Sequence, residues 1–186
     1  MSMLAKTILS EAVAARKLSE PAAILEWIHQ QIKHTLRQEQ TYNADGMDII
    51  LCAFPKMPDQ ATERVVKFAG ANRSLWHKTP DQTTLSRLRG TSRSIGGYKR
   101  KKSIAFENHQ FSVPKDTVFY LFTDGITDQA NPQGLKIGTQ TLLAFLEKIQ
   151  QDTLSIQGEA LAQFLAHHQQ DAPQRDDISF LAFRLS

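Results

Sequence analysis

The spacing of hydrophobic and polar residues in this chain is helical up to about residue 40 and strand-like from Met47. In the first part Leu4, Ile8 and Leu9 share one face. Further on, Ile24, Ile28 and Ile32 repeat every fourth residue with Leu25 and Leu36 beside them. Two helices are predicted, the second with Ser19 as N-cap and Pro21 in its first turn. A single apolar stripe on such a helix implies packing on a sheet or on another helix. Met47 to Phe54 is nearly continuously apolar and predicts a buried strand. Arg64 to Phe68 alternates, Asn72-Arg73 makes a turn, and Ser74 to His77 reads as a short return strand. Gln82 to Arg89 and Ile104 to Val113 alternate as well, and residues 90–102, with glycines and a basic run, read as a loop. Val118 to Phe122 and Ile178 to Leu185 are further strands, separated by helices near 139–150 and 157–170. Helices grouped with mainly antiparallel strands make the class α+β.

Composition adds exclusions. At 186 residues, with no interdomain linker or repeat in the pattern, one domain with a substantial core is the default. A formal charge of +3 does not point to nucleic acid. The single cysteine, Cys52, excludes an internal disulfide and suits a reducing compartment, so a cytoplasmic location is expected. No apolar run approaches the ~20 residues needed to span a bilayer, so no membrane is expected in this segment. The residue six after Cys52 is Pro58 rather than Arg, which removes the loop of cysteine phosphatases, and no Walker A segment occurs. The six histidines show no metal-ligand pattern.

Candidate chemistry lies where strands end. The strand Val118 to Phe122 stops at Thr123-Asp124-Gly125, and the last strand begins just after Arg175-Asp176-Asp177. If these strands pair, Asp124 and Asp176 meet at one rim. Carboxylates that close repel unless a cation sits between them. Oxygen ligands of this kind suit Mg²⁺ or Mn²⁺ rather than zinc. The competing reading is turn and cap chemistry, which also favours Asp. Asp48 interrupts an apolar strand, where an unpaired carboxylate is expensive. Either it sits at the strand entrance and bonds backbone amides, or it faces a metal cleft. Asp45, before Gly46, reads as a turn residue. Lys99, Arg100, Lys101 and Lys102 read as a solvated loop or as an attractor for an acidic phosphoprotein near the cleft.

At these residues the chain resembles the metal-dependent PPM (PP2C-like) protein serine/threonine phosphatases, and among them the bacterial branch typified by SpoIIE. Five segments in order carry the resemblance: Asp45-Gly46-Met47-Asp48, Phe68-Ala69-Gly70-Ala71-Asn72, Ser94-Ile95-Gly96-Gly97, Thr123-Asp124-Gly125 and Arg175-Asp176-Asp177. The resemblance implies a PP2C-like β-sandwich flanked by helix pairs. In that branch a metal-binding Gly-Asp segment and a Gly-His-Gly-Val-Pro-Gly-Ala-like stretch precede a helix similar to Met1-Ser2-Met3-Leu4-Ala5. Residues 1–186 are therefore expected to be a single domain that is N-terminally incomplete, missing its first strands.

The resemblance also implies roles. No protein nucleophile is needed, because a water activated by two Mn²⁺ or Mg²⁺ ions attacks phosphorus. Asp124 and Asp176 correspond to metal ligands. Gly125 permits the tight turn beside Asp124, Asp177 supports the site by hydrogen bonding, and Asp128 would hold an outer-sphere water or a weaker third ion. Ser94-Ile95-Gly96-Gly97 would be a loop over the site, serving either lid movement or a tight turn. The implied substrate is phosphoserine or phosphothreonine on a bacterial regulatory protein, such as an anti-sigma-factor antagonist. The alternative is a non-catalytic phosphatase-like module that binds a regulatory partner or a second protomer as a homodimer.

Overall fold

The computed structural model describes residues 2–58, 60–97 and 104–186. In chain order the elements are α1 (Ser2–Ser10), a π-helical turn (Glu11–Ala15), α2 (Pro21–Thr35), β1 (Gly46–Met47), β2 (Ile49–Ala53), β3 (Glu63–Ala71), β4 (Leu75–Lys78), β5 (Ser86–Leu88), β6 (Ile95–Gly96), β7 (His109–Pro114), β8 (Thr117–Phe122), α3 (Asp124–Asp128), α4 (Gly138–Ile149), α5 (Leu154–Gln169) and β9 (Phe180–Leu185). They fall into two compact units, Met1–Leu75 with Arg87–Lys115, and Trp76–Ser86 with Asp116–Ser186.

The first unit is built on an antiparallel sheet in the order β2-β3-β7, with a two-residue pair β1-β6 beside it in sequence. Ile24, Leu25, Ile28 and Ile32 of α2 are buried with Ile8, Ala12, Ala69, Ala71, Ile95 and Phe106. The small side chains of Ala69 and Ala71 on β3 leave room for the isoleucine stripe, which packs as its period predicts. Each fully buried isoleucine contributes about 1.5–3 kcal/mol relative to an exposed one. The N-cap of α2 is Glu20, not Ser19, and Pro21 is its first helical residue. The reason is local: a residue before proline is pushed out of the helical region, and Glu20 is extended at φ −89°, ψ 121°. Met47 to Phe54 is not one continuous strand. It breaks at Asp48, and β2 is only half-buried because it pairs with β3 along a single edge.

In the second unit β8 lies between β4 and β9. The segment expected to return along β3 instead pairs with β8, through Trp76 opposite Tyr120 and Lys78 opposite Val118. β8 and β9 are antiparallel from Thr117 opposite Leu185 to Phe122 opposite Phe180. Val118 and Tyr120 are buried with Leu142, Leu146 and Leu161 of the two long helices. Tyr120 donates its hydroxyl to Gln157 at 3.0 Å, and the amide of this fully buried glutamine donates to the carbonyl of Asp152 at 3.0 Å. The start of α5 is thereby tied to the centre of the sheet. Thr153 caps it by accepting from the amide of Ile156.

Candidate metal centre

The β8–β9 pairing brings the segment after Phe122 and the segment before Phe180 to the same end of the sheet. Asp124 is the first residue of α3, a single helical turn absent from the sequence expectation, and is half-buried. Asp176 and Asp177 are exposed. The Asp176 carboxylate accepts the backbone amide of Asp177 at 2.7 Å, and its carbonyl accepts Nε2 of Gln174 at 2.8 Å. The two predicted ligand segments are thus neighbours at one rim.

Two contacts fix their spacing. A Cβ on Gly125 would stand 2.3 Å from the carbonyl oxygen of Asp177 and 2.9 Å from its carbon, so only glycine allows the two backbones to approach this closely. Thr123 supplies the other. Its amide donates to the carbonyl of Ser179 at 3.1 Å, its hydroxyl donates to the carbonyl of Asp177 at 2.8 Å, and the same hydroxyl accepts from the amide of Ser179 at 2.9 Å. Thr123 has no separate role in the sequence expectation. The available signal was a hydroxyl residue just before Asp-Gly at a strand end.

The remaining predicted residues lie in other surroundings. Asp128 is exposed and paired with Lys136 at 3.0 Å. Asp48 belongs to the first unit, at the break between β1 and β2. It accepts Ser94 Oγ at 2.6 Å and Asn72 Nδ2 at 3.0 Å, and its partner ion is Arg73 at 3.4 Å. Three of the sequence segments singled out above therefore meet on one carboxylate. Asn72 holds a left-handed conformation, φ 56°, in the turn that follows β3. Asp45 is a loop residue: its amide donates to Asn43 at 2.8 Å, and its carbonyl accepts from Gln38 at 2.6 Å and from the amide of Gly97 at 3.1 Å. Gly96 and Gly97 take φ of 70° and 77°, which only glycine adopts readily. Cys52 lies on β2, where burial pushes its thiol up to about 12. Lys99, Arg100, Lys101 and Lys102 lie outside the described residues.

The donor set at the β8–β9 rim is composed of carboxylate oxygens, which fits Mg²⁺ or Mn²⁺. Among the described residues no group of three or more His, Cys, Asp or Glu could hold a metal.

The sequence profile of the family Stage II sporulation protein E (SpoIIE) matches residues 1–186. The chain belongs to the SpoIIE family, whose structural relatives are PP2C-type serine/threonine phosphatases. The SiaA-PP2C domain of Pseudomonas aeruginosa is 31% identical, with a TM-score of 0.81 over 99% of this chain and 68% of that one. Two more distant structures share the fold. The RsbU and RsbW domains of Rv1364c from Mycobacterium tuberculosis match at TM-score 0.61 and 16% identity, over 100% of this chain and 47% of that one. RsbX in complex with magnesium matches at TM-score 0.55 and 14% identity, over 98% and 73%. No curated protein matches the chain. The PP2C-like α+β fold expected from the sequence is the fold observed. Among the described residues no helix is long and apolar enough to cross a membrane.

Proposed function

We propose that Asp124 and Asp176 are ligands of a Mg²⁺- or Mn²⁺-dependent phosphatase centre that hydrolyses phosphoserine or phosphothreonine on a regulatory protein. The observation that carries this reading is the meeting of their two segments at one end of the β8–β9 pair, in a chain of the SpoIIE family. Magnesium bound to RsbX, a structure of the same fold, supports the choice of ion. Such ions would lower the pKa of a coordinated water and offset charge on the phosphoryl oxygens. The chain's own residues supply anionic oxygens at fixed spacing. Asp124 is held at the junction of β8 and α3, and Asp176 is set by the Gly125–Asp177 contact. Asp177 supports the rim through its backbone. An anti-sigma-factor antagonist in the cytoplasm is the substrate type that this reading favours.

The test is Mn²⁺ binding followed by electron paramagnetic resonance. Asp124→Asn and Asp176→Asn should each weaken binding without lowering the melting temperature, and unchanged binding in both variants would remove the reading. One observation favours the non-catalytic alternative: a group of three or more metal-binding side chains is lacking among the described residues. On that reading the chain turns over p-nitrophenyl phosphate no faster with Mn²⁺ than without it. Mn²⁺-dependent turnover would exclude the non-catalytic reading.

A further inference from the structure

We infer that Thr123 is a positioning residue for the two carboxylates: its hydroxyl replaces a backbone carbonyl in the last rung of the β8–β9 ladder and so sets the distance between the Asp124 and Asp176 segments. This rests on the metal reading above.

Phe122 lies opposite Phe180, so Thr123 lies opposite Ser179. In an antiparallel ladder the next such pair would exchange two backbone bonds. Only one is made in the usual way, from the amide of Thr123 to the carbonyl of Ser179 at 3.1 Å. The return bond from the amide of Ser179 goes to the Thr123 hydroxyl at 2.9 Å instead of to the Thr123 carbonyl. That carbonyl turns into α3, where it accepts the amide of Ile126 at 3.4 Å. The hydroxyl proton is directed to the carbonyl of Asp177 at 2.8 Å.

One side chain thus resolves a conflict. The chain must leave the sheet and begin a helical turn at Asp124, and this points the Thr123 carbonyl into α3 rather than across to Ser179. A hydroxyl that both donates and accepts lets the strands stay paired one residue beyond the point where β8 ends. It grips the Asp176-Asp177 segment on the donor side and β9 on the acceptor side. Gly125 presses on the same Asp177 peptide. Asp124 lies between these two contacts in sequence, so its backbone is held on both sides. Valine has the shape of threonine but neither hydrogen-bonding function; serine keeps both.

The experiment titrates Mn²⁺ alone into the 186-residue chain, with folding of each variant checked by circular dichroism at the titration temperature. Groups that orient metal ligands typically change metal affinity by about 10–100-fold when lost. Thr123→Val should weaken Mn²⁺ binding by about tenfold or more, and Thr123→Ser should restore it to within about threefold of the parent. Val118→Ala, which removes buried volume from the same strand, should lower the melting temperature and leave Mn²⁺ binding unchanged. Parent-like binding by Thr123→Val overturns the proposal, and loss of binding by Asp124→Asn in the same series then leaves the metal reading standing. Equal weakening by Thr123→Val and Val118→Ala also overturns it, because general loosening would explain both. If neither Asp124→Asn nor Asp176→Asn alters binding, the metal reading fails and the positioning role fails with it. Should Thr123→Val not fold, Thr123→Ala is titrated in its place, with the same outcomes.

Discussion

The backbone amide of Gly96 donates to Nδ1 of His29 at 3.0 Å, joining α2 to the Ser94-Ile95-Gly96-Gly97 segment. Nδ1 must therefore be an acceptor, and the neutral ring carries its proton on Nε2. Burial, and next the positive charge of Arg93, push His29 down to about 4, against the opposing effect of Glu26. Burial acts to raise Glu26, but hydrogen bonding and charge from Arg93 outweigh it and hold the carboxyl below its usual value. Arg93 itself is buried, pairs with Glu26 at 2.9 Å and stands over the Phe106 ring at 4.5 Å.

The pH dependence follows. An unfolded histidine takes up its proton near 6.5, while His29 in the fold resists protonation until about 4. Between these values the unfolded state binds more protons, so stability is full above 6.5 and falls as pH drops toward 4. The depressed Glu26 adds to the loss at the acid end of that window and below it. Melting temperatures measured from pH 7.5 to 4.5 should show the decline. His29→Asn keeps an acceptor for Gly96 without a proton to gain, and it should flatten the curve between about 6.5 and 5. An unchanged curve in that variant would assign the decline to other groups.

Asp48 should behave as a structural acceptor. Asp48→Ala leaves the Ser94 hydroxyl, the Asn72 amide and the Arg73 guanidinium without their shared partner. Partly buried donors left in this way cost about 1–3 kcal/mol in total, allowing for the access of water to Arg73. Urea unfolding should show that loss, and Mn²⁺ affinity of the folded variant should stay within about twofold of the parent. Loss of Mn²⁺ binding with unchanged stability would make Asp48 a ligand instead.

Gly125→Ala should separate the two segments of the rim. The new Cβ meets backbone atoms at 2.3 and 2.9 Å, and backbone cannot rotate away as a side-chain tip would. Overpacking of this kind costs about 1–3 kcal/mol. Lowered stability together with weaker Mn²⁺ binding is expected, read by urea unfolding and by titration. A variant with parent-like values in both would show that the rim tolerates opening.

The features legible in the sequence are local or periodic. The α2 stripe, the apolar β8 run, the carboxylates at strand ends and the glycines at left-handed turns follow from side-chain period and backbone sterics, which neighbouring residues dictate. The N-cap of α2 falls on Glu20 rather than on the hydroxyl residue Ser19, because Pro21 restricts the residue before it to extended backbone. Pairing was beyond local reach. That β4 joins β8, that Asn72, Arg73 and Ser94 share Asp48, and that Thr123 closes the last β8–β9 rung all depend on contacts between residues distant in sequence. Such contacts form only when the whole chain has packed. A hydroxyl, an amide or a carboxylate carries the same local preferences whichever partner it finds, and the partner is set by register and packing.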